Sequence, residues 1–160
     1  MLHVRKLILF MIYTCAAAYA SAQIIPVPIA KVDSLMKTDP KPILLLISTD
    51  WCQYCAMQKQ QIQKNKQFAE QHHQFYFVDF NAENRDKVVF QGKEYKFIPR
   101  GINLGTHELA IALNGSDQIS YPTWILLDAT YNPLFRQPGL LNPAQLNQLL
   151  LVMEKSLSTN

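Results

Sequence analysis

Between Pro42 and Thr49 the chain reads PILLLIST, a nearly unbroken apolar run of strand length. A run without polar alternation points to a strand covered on both faces of a sheet. A second run of this kind, QFYFVDFNA, spans 74–82. Between the two, from Cys52 to about His72, the composition turns to Gln, Lys, Ala and Met. That change predicts one helix, with Met57, Ile62, Phe68 and Ala69 as candidate core positions. A short helix is expected from Lys31 to Lys37, ahead of the first strand. After the second strand comes a polar stretch, ENRDK, and then VVFQGKEYKF, two β-rich pieces around Gln91-Gly92-Lys93 that suit a hairpin. THELAIAL (106–113) predicts a short helix with Thr106 as N-cap and Glu108 in its first turn. YPTWILLDATYNPLFRQPG gives two strands around the turn DATYNP. The last helix begins with Asn142 as N-cap and Pro143 at its first position. It carries Leu146, Leu149, Leu150 and Met153 on one face. Alternation first and a hairpin later imply an α/β fold, a mixed sheet flanked by helices.

The N-terminal segment follows a different logic. MLHVRK is short and basic, LILFMIYTCAAAYA is apolar, and ASA at 20–22 is a small-x-small sequence. That order predicts a secretory signal peptide over 1–22, cut after Ala22, and an exported product, periplasmic or extracellular. The apolar run is short for a membrane span, which takes about 20 residues. No stable membrane contact is expected once the signal is removed. Cleavage would leave 13 basic against 12 acidic residues, a formal charge of +1 in place of +3. No concentrated basic patch remains, so nucleic acid is not an expected partner. The remaining residues, 23–160, suffice for one domain.

Without Cys15 the mature chain keeps two cysteines, Cys52 and Cys55, in the stretch TDWCQYCAMQ. Structural zinc takes about four N or S ligands. Here no second CxxC is present, and His72, His73 and His107 do not have finger spacing. Covalent haem would require His after the second cysteine, and residue 56 is Ala. No metal and no cofactor beyond the cysteine pair are therefore expected. A purely structural disulfide is the serious rival, but so short a loop removes little chain entropy. Placement favours redox chemistry. A strand runs into Thr49-Asp50-Trp51 and the helix opens at the cysteines. There, unpaired N–H groups and the helix dipole lower a thiol pKa from about 8.5 into the range of roughly 3.5–7.5. Cys52 would be the exposed attacker and Cys55 the sheltered resolving thiol.

WCQYC after a buried strand, with YPT at 121–123 before another, resembles the thioredoxin superfamily. The similarity runs from about Ile43 to Leu151 in element order and motif spacing. The resemblance implies a three-layer thioredoxin-like fold and a thiol–disulfide oxidoreductase acting on protein thiols and disulfides with a further redox partner. It implies Cys52 as nucleophile, Cys55 as resolving thiol, and Trp51 shielding the pair. Pro122 would be a cis-proline facing the cysteines, leaving the backbone of Tyr121 free to pair with a substrate strand.

Three departures matter. Thioredoxins keep a buried Asp where this chain has Leu46, and a Lys on the next strand where it has Phe77. The usual proton acceptor for Cys55 is therefore expected to be missing, with Asp50 at the rim a candidate substitute. The inner pair, Gln53-Tyr54, is closer to disulfide isomerases and glutaredoxins than to thioredoxin. The third departure is an insertion, about 83–105, which leaves the strand edge that carries Cys52 and is expected to border the active site. No dimerisation domain is present, so a monomer is expected and an isomerase is least favoured. The competing class is a thioredoxin-fold binding or redox-sensing module that does not turn over.

Overall fold

The computed structural model describes residues 23–158. The expected signal peptide, its cleavage site and Cys15 lie outside the described residues. The central strand β1 (Ile43–Ser48) is buried at every position, as its unbroken apolar run requires. It pairs in parallel with β2 (Tyr76–Asn81) and antiparallel with β7 (Thr123–Leu127). β7 in turn pairs with β8 (Pro133–Pro138), giving a mixed sheet ordered β2-β1-β7-β8.

The two faces of the sheet bury different sets. Ile43, Leu45 and Ile47 pack with Val78, Phe80 and Ile125 under α1 (Ile29–Thr38) and α4 (Glu108–Asn114). Leu44 and Leu46 pack with Phe77, Trp124 and Leu126 under three other helices. These are α2 (Gln53–Lys64), α3 (Lys66–Gln71) and α5 (Pro143–Ser158). The result is the expected three-layer arrangement. α5 is closed by a reciprocal cap: Gln145 N–H donates to Asn142 Oδ1, and Asn142 N–H donates to Gln145 Oε1, each at 2.9 Å.

Local chemistry shifts several expected boundaries. The single helix over 52–72 is broken at Asn65, whose backbone is extended and whose side chain accepts the Phe68 N–H to start α3. Met57 is about half exposed, and its neighbour Gln58 is buried instead. Thr106 does not cap α4. It lies in a strand, and His107 is the cap, its Nδ1 accepting the Leu109 N–H at 3.1 Å.

The insertion forms two hairpins. β3 (Val88–Phe90) and β4 (Lys93–Tyr95) turn at Gln91 and Gly92, both at positive φ, the geometry of a two-residue hairpin turn. β5 (Phe97–Gly101) and β6 (Leu104–His107) form the second. Gly105 lies close against the Phe97 ring and the Ile98 carbonyl, where no Cβ would fit. The expectation that the insertion borders the active site does not hold for its first hairpin. Val88 and Phe90 join the core beneath α1, and the Gly92 N–H donates to Asp33 Oδ2. Asp33 also accepts the Tyr131 hydroxyl at 2.9 Å; burial and this carboxylate push the Tyr131 hydroxyl up to about 12. Tyr131 follows β7 at the end where Leu127 meets Ile43, the sheet end opposite the cysteines. The base of the insertion lies at the cysteine end, where His107 N–H bonds the Ala82 carbonyl and Glu83 accepts the Trp51 indole N–H.

His107 is fully buried, its ring set edge-on to Phe80, with Nδ1 as acceptor and Nε2–H donating to the Asp86 carbonyl at 3.0 Å. Burial lowers its pKa from the ordinary histidine value, against smaller opposing effects of the Asp86 carbonyl and Glu108. A depressed folded-state pKa makes the neutral ring stabilising above the unfolded value of about 6.5, and that stability is lost as pH falls through the folded value. Urea midpoints should therefore drop from pH 7.5 to pH 5, and His107→Gln, which keeps an acceptor and a donor, should flatten that slope. Equal slopes in the two proteins would show that His107 does not carry the dependence.

Candidate active site

β1 ends under Thr49, and the chain turns once before α2. Cys52 N–H donates to the Thr49 carbonyl in this turn. Cys52 is the N-cap of α2, and its Sγ accepts the Cys55 N–H at 3.1 Å. A cap with an extended backbone and a side-chain acceptor is what a helix start demands; here the acceptor is sulfur. Cys52 and Cys55 are joined in a disulfide with their Cα atoms 5.2 Å apart. Both are buried in this oxidised state, Cys52 at 6% and Cys55 at 1% exposure. The asymmetry between them is therefore one of helix position more than of accessibility.

Around the disulfide stand exposed aromatic side chains. Trp51 and Tyr54 are each about two-thirds exposed. The Trp51 ring meets the Tyr121 ring edge-on at 5.9 Å, and Tyr121 precedes Pro122 across a cis peptide bond. Pro122 is buried, its carbonyl accepting the Gly139 N–H at 2.7 Å. Burial and, secondarily, the Glu83 charge raise the Tyr121 hydroxyl above its usual value. The Trp51 indole N–H donates to Glu83 Oε1 at 3.1 Å. Trp51, Cys52, Cys55 and Tyr121 are thus brought to one end of the sheet, with Pro122 adjoining through Tyr121. Asp50 is exposed beside them. Among the described residues no three His, Cys, Asp or Glu side chains are grouped to hold a metal ion.

The expected placing of Phe77 opposite Leu46 is corrected. Leu46 and Phe77 do belong to one apolar cluster, but the register pairs Phe77 with Leu44 and sets Asp79 beside Leu46. Parallel partners share a face, so Asp79 looks toward α2. Its Oδ1 accepts the Ser48 hydroxyl at 2.6 Å, and its Oδ2 meets the Lys59 ammonium at 2.7 Å. Lys59 stands one helical turn after Cys55 on the same face of α2. Both partners are partly solvent-exposed, so the pair contributes about 0–1 kcal/mol; its consequence is a fixed charge arrangement under the cysteine helix. Sequence spacing alone pointed to position 77, and the register that selects 79 is a tertiary property.

Gln58 was also missed. Its Oε1 accepts both the Trp124 indole N–H at 3.3 Å and the Leu141 N–H at 2.8 Å. It thereby ties the cysteine helix to the strand that follows Pro122. A polar residue at a core position is satisfied only by partners distant in sequence, and nothing local announces them.

The profile of the thioredoxin-like domain family matches residues 30–154. The chain belongs to that family. Among solved structures, a thioredoxin-fold protein from Helicobacter pylori is similar at 21% identity and a TM-score of 0.53, over 72% of this chain and 68% of that one. A protein described as DsbH oxidoreductase aligns at 21% identity and a TM-score of 0.53, over 86% and 89% of the two chains. Thioredoxin from Trypanosoma brucei brucei aligns at 16% identity and a TM-score of 0.53, over 85% and 96%. At these identities the likeness is one of fold. No curated protein matches the chain.

Because Asp79 adjoins Leu46, a second acid at 46 would meet like charge as well as burial. Leu46→Asp should lower stability by about 3 kcal/mol or more, and Asp79→Asn should relieve part of that loss. Denaturant midpoints of the two single variants and the double form the cycle. A coupling energy near zero would remove Asp79 from this face.

Proposed function

We propose that this protein is an exported thiol–disulfide oxidoreductase that exchanges its Cys52–Cys55 pair with protein thiols and disulfides. The observation that carries the reading is the N-cap sulfur. Cys52 Sγ already accepts a backbone N–H at the start of α2, where a thiolate is favoured by the same hydrogen bond and by the helix dipole. In the reducing direction, the Cys52 thiolate attacks one sulfur of a client disulfide. A mixed disulfide forms and the other client sulfur leaves as thiolate. Cys55, deprotonated, then attacks Cys52 Sγ, restoring the internal disulfide and releasing the second client thiol. The reverse sequence oxidises a client dithiol. Trp51 and Tyr121 supply apolar walls for the client chain, and the backbone beside Pro122 offers it hydrogen bonds. Export rests on the basic, apolar and small-residue order of residues 1–22.

With dithiothreitol as donor, the protein should accelerate insulin reduction, and Cys52→Ser should abolish the acceleration. Cys55→Ser should accumulate a mixed disulfide through Cys52. Equal rates for wild type and Cys52→Ser would favour a binding or sensing module. N-terminal sequencing of the exported protein should begin at Gln23; an intact Met1 start would reject cleavage.

A further inference from the structure

Glu83 is the first residue of the insertion, and its carboxylate stands at the rim of the cysteine site. It accepts the indole N–H of Trp51, and its charge bears on the Tyr121 hydroxyl. Trp51 adjoins Cys52 and Tyr121 adjoins Pro122, so this one acid stands beside both aromatic side chains that flank the disulfide. Its place is fixed by the turn after β2, where Glu83 N–H donates to Asn81 Oδ1 at 2.9 Å. The charge is not neutralised: Glu83 takes part in none of the ion pairs among the described residues. Two bases, Arg85 and Lys59, are engaged elsewhere. The Arg85 guanidinium lies over the Phe97 ring, 5.3 Å from its centre, and Lys59 is held by Asp79.

We propose that Glu83 is a specificity-determining residue, selecting disulfide partners that carry a basic side chain beside the reactive sulfur and disfavouring acidic ones. The proposal rests on exchange at Cys52 as described above and adds the class of partner. Charges within a Debye length, about 8 Å at physiological salt, are felt directly, and like-charge juxtaposition is an effective way to reject a wrong partner. The rival role is simple support of the Trp51 ring. Glu83→Gln separates the two, because the amide oxygen still accepts the indole N–H while the charge is gone.

The test uses the full chain in a Cys55→Ser background at low salt and neutral pH. Cys52 is modified by cationic 2-(trimethylammonio)ethyl methanethiosulfonate or by its anionic 2-sulfonatoethyl counterpart. The thiolate attacks the divalent sulfur of the thiosulfonate, a new S–S bond forms as the bond to the sulfonyl group breaks, and methanesulfinate leaves with the electron pair. Glu83→Gln should lower the cation-to-anion rate ratio by about three- to tenfold, Glu83→Asp should keep it high, and high salt should erase the difference. A ratio unchanged by Glu83→Gln, or lowered only by Asp50→Asn, overturns the proposal. Modification is stoichiometric, so failure to reduce insulin would count against the proposed function without touching this ratio. In turnover, the kcat/KM preference for a Lys-flanked over a Glu-flanked peptide disulfide should shrink in Glu83→Gln by a similar factor. A preference that survives overturns the selection.

Discussion

The seat of α2 on the sheet is the constraint on which the active end depends. The helix presents sulfur at its N-terminus only if its first turn is held at the end of β1, beside the strand that Pro122 opens. Apolar packing alone would let a helix slide, since hydrophobic contacts have little directionality. Gln58 supplies direction. One buried carbonyl oxygen takes a donor from Trp124 and another from Leu141, which sets the helix against β7 and against the segment leading into α5. A buried amide left without these partners would cost about 1–3 kcal/mol, so alternative seats of the helix are disfavoured. Ile62 and the Phe68 ring, set edge-on to Phe75 and Phe77, fill the space below.

From that seat the polar features of the site follow. The N-terminal turn of α2 carries Cys52 as its own cap, so the group that satisfies the helix start is also the group that would do the chemistry. One turn after Cys55, Lys59 reaches down to Asp79, which also accepts the Ser48 hydroxyl. At the rim, the turn after β2 delivers Glu83 to Trp51. The insertion serves two ends of the molecule: its base meets the cysteine site, while its first hairpin is anchored through Asp33 and Tyr131 at the far end of the sheet.

What could be read from the chain was what depends on neighbours in sequence. The doubly buried strands, the Asn142–Pro143 helix start, the Gln91-Gly92 turn and the placement of Cys52 at a helix N-terminus all follow from local composition. What escaped depends on partners brought together by folding. Gln58 reads as surface and Met57 as core until Trp124 and Leu141 are beside the helix. His107 outcompetes Thr106 as a cap because β6 pairs with β5 and carries Thr106 into a strand. Asp79 replaces Phe77 opposite Leu46 because a parallel register cannot be counted from spacing. The second hairpin, with its exposed Ile102 and Leu104, lacks the apolar alternation that marks a strand.

The start of α2 should make Cys52 a thiolate at working pH once the disulfide is reduced. Titration of the reduced protein by thiolate absorbance, wild type against Cys52→Ser, tests it most directly. One thiol should ionise clearly below the ordinary cysteine value of about 8.5, and that transition should vanish in Cys52→Ser. Two thiols ionising at or above that value, or a low transition that survives the substitution, would contradict the account.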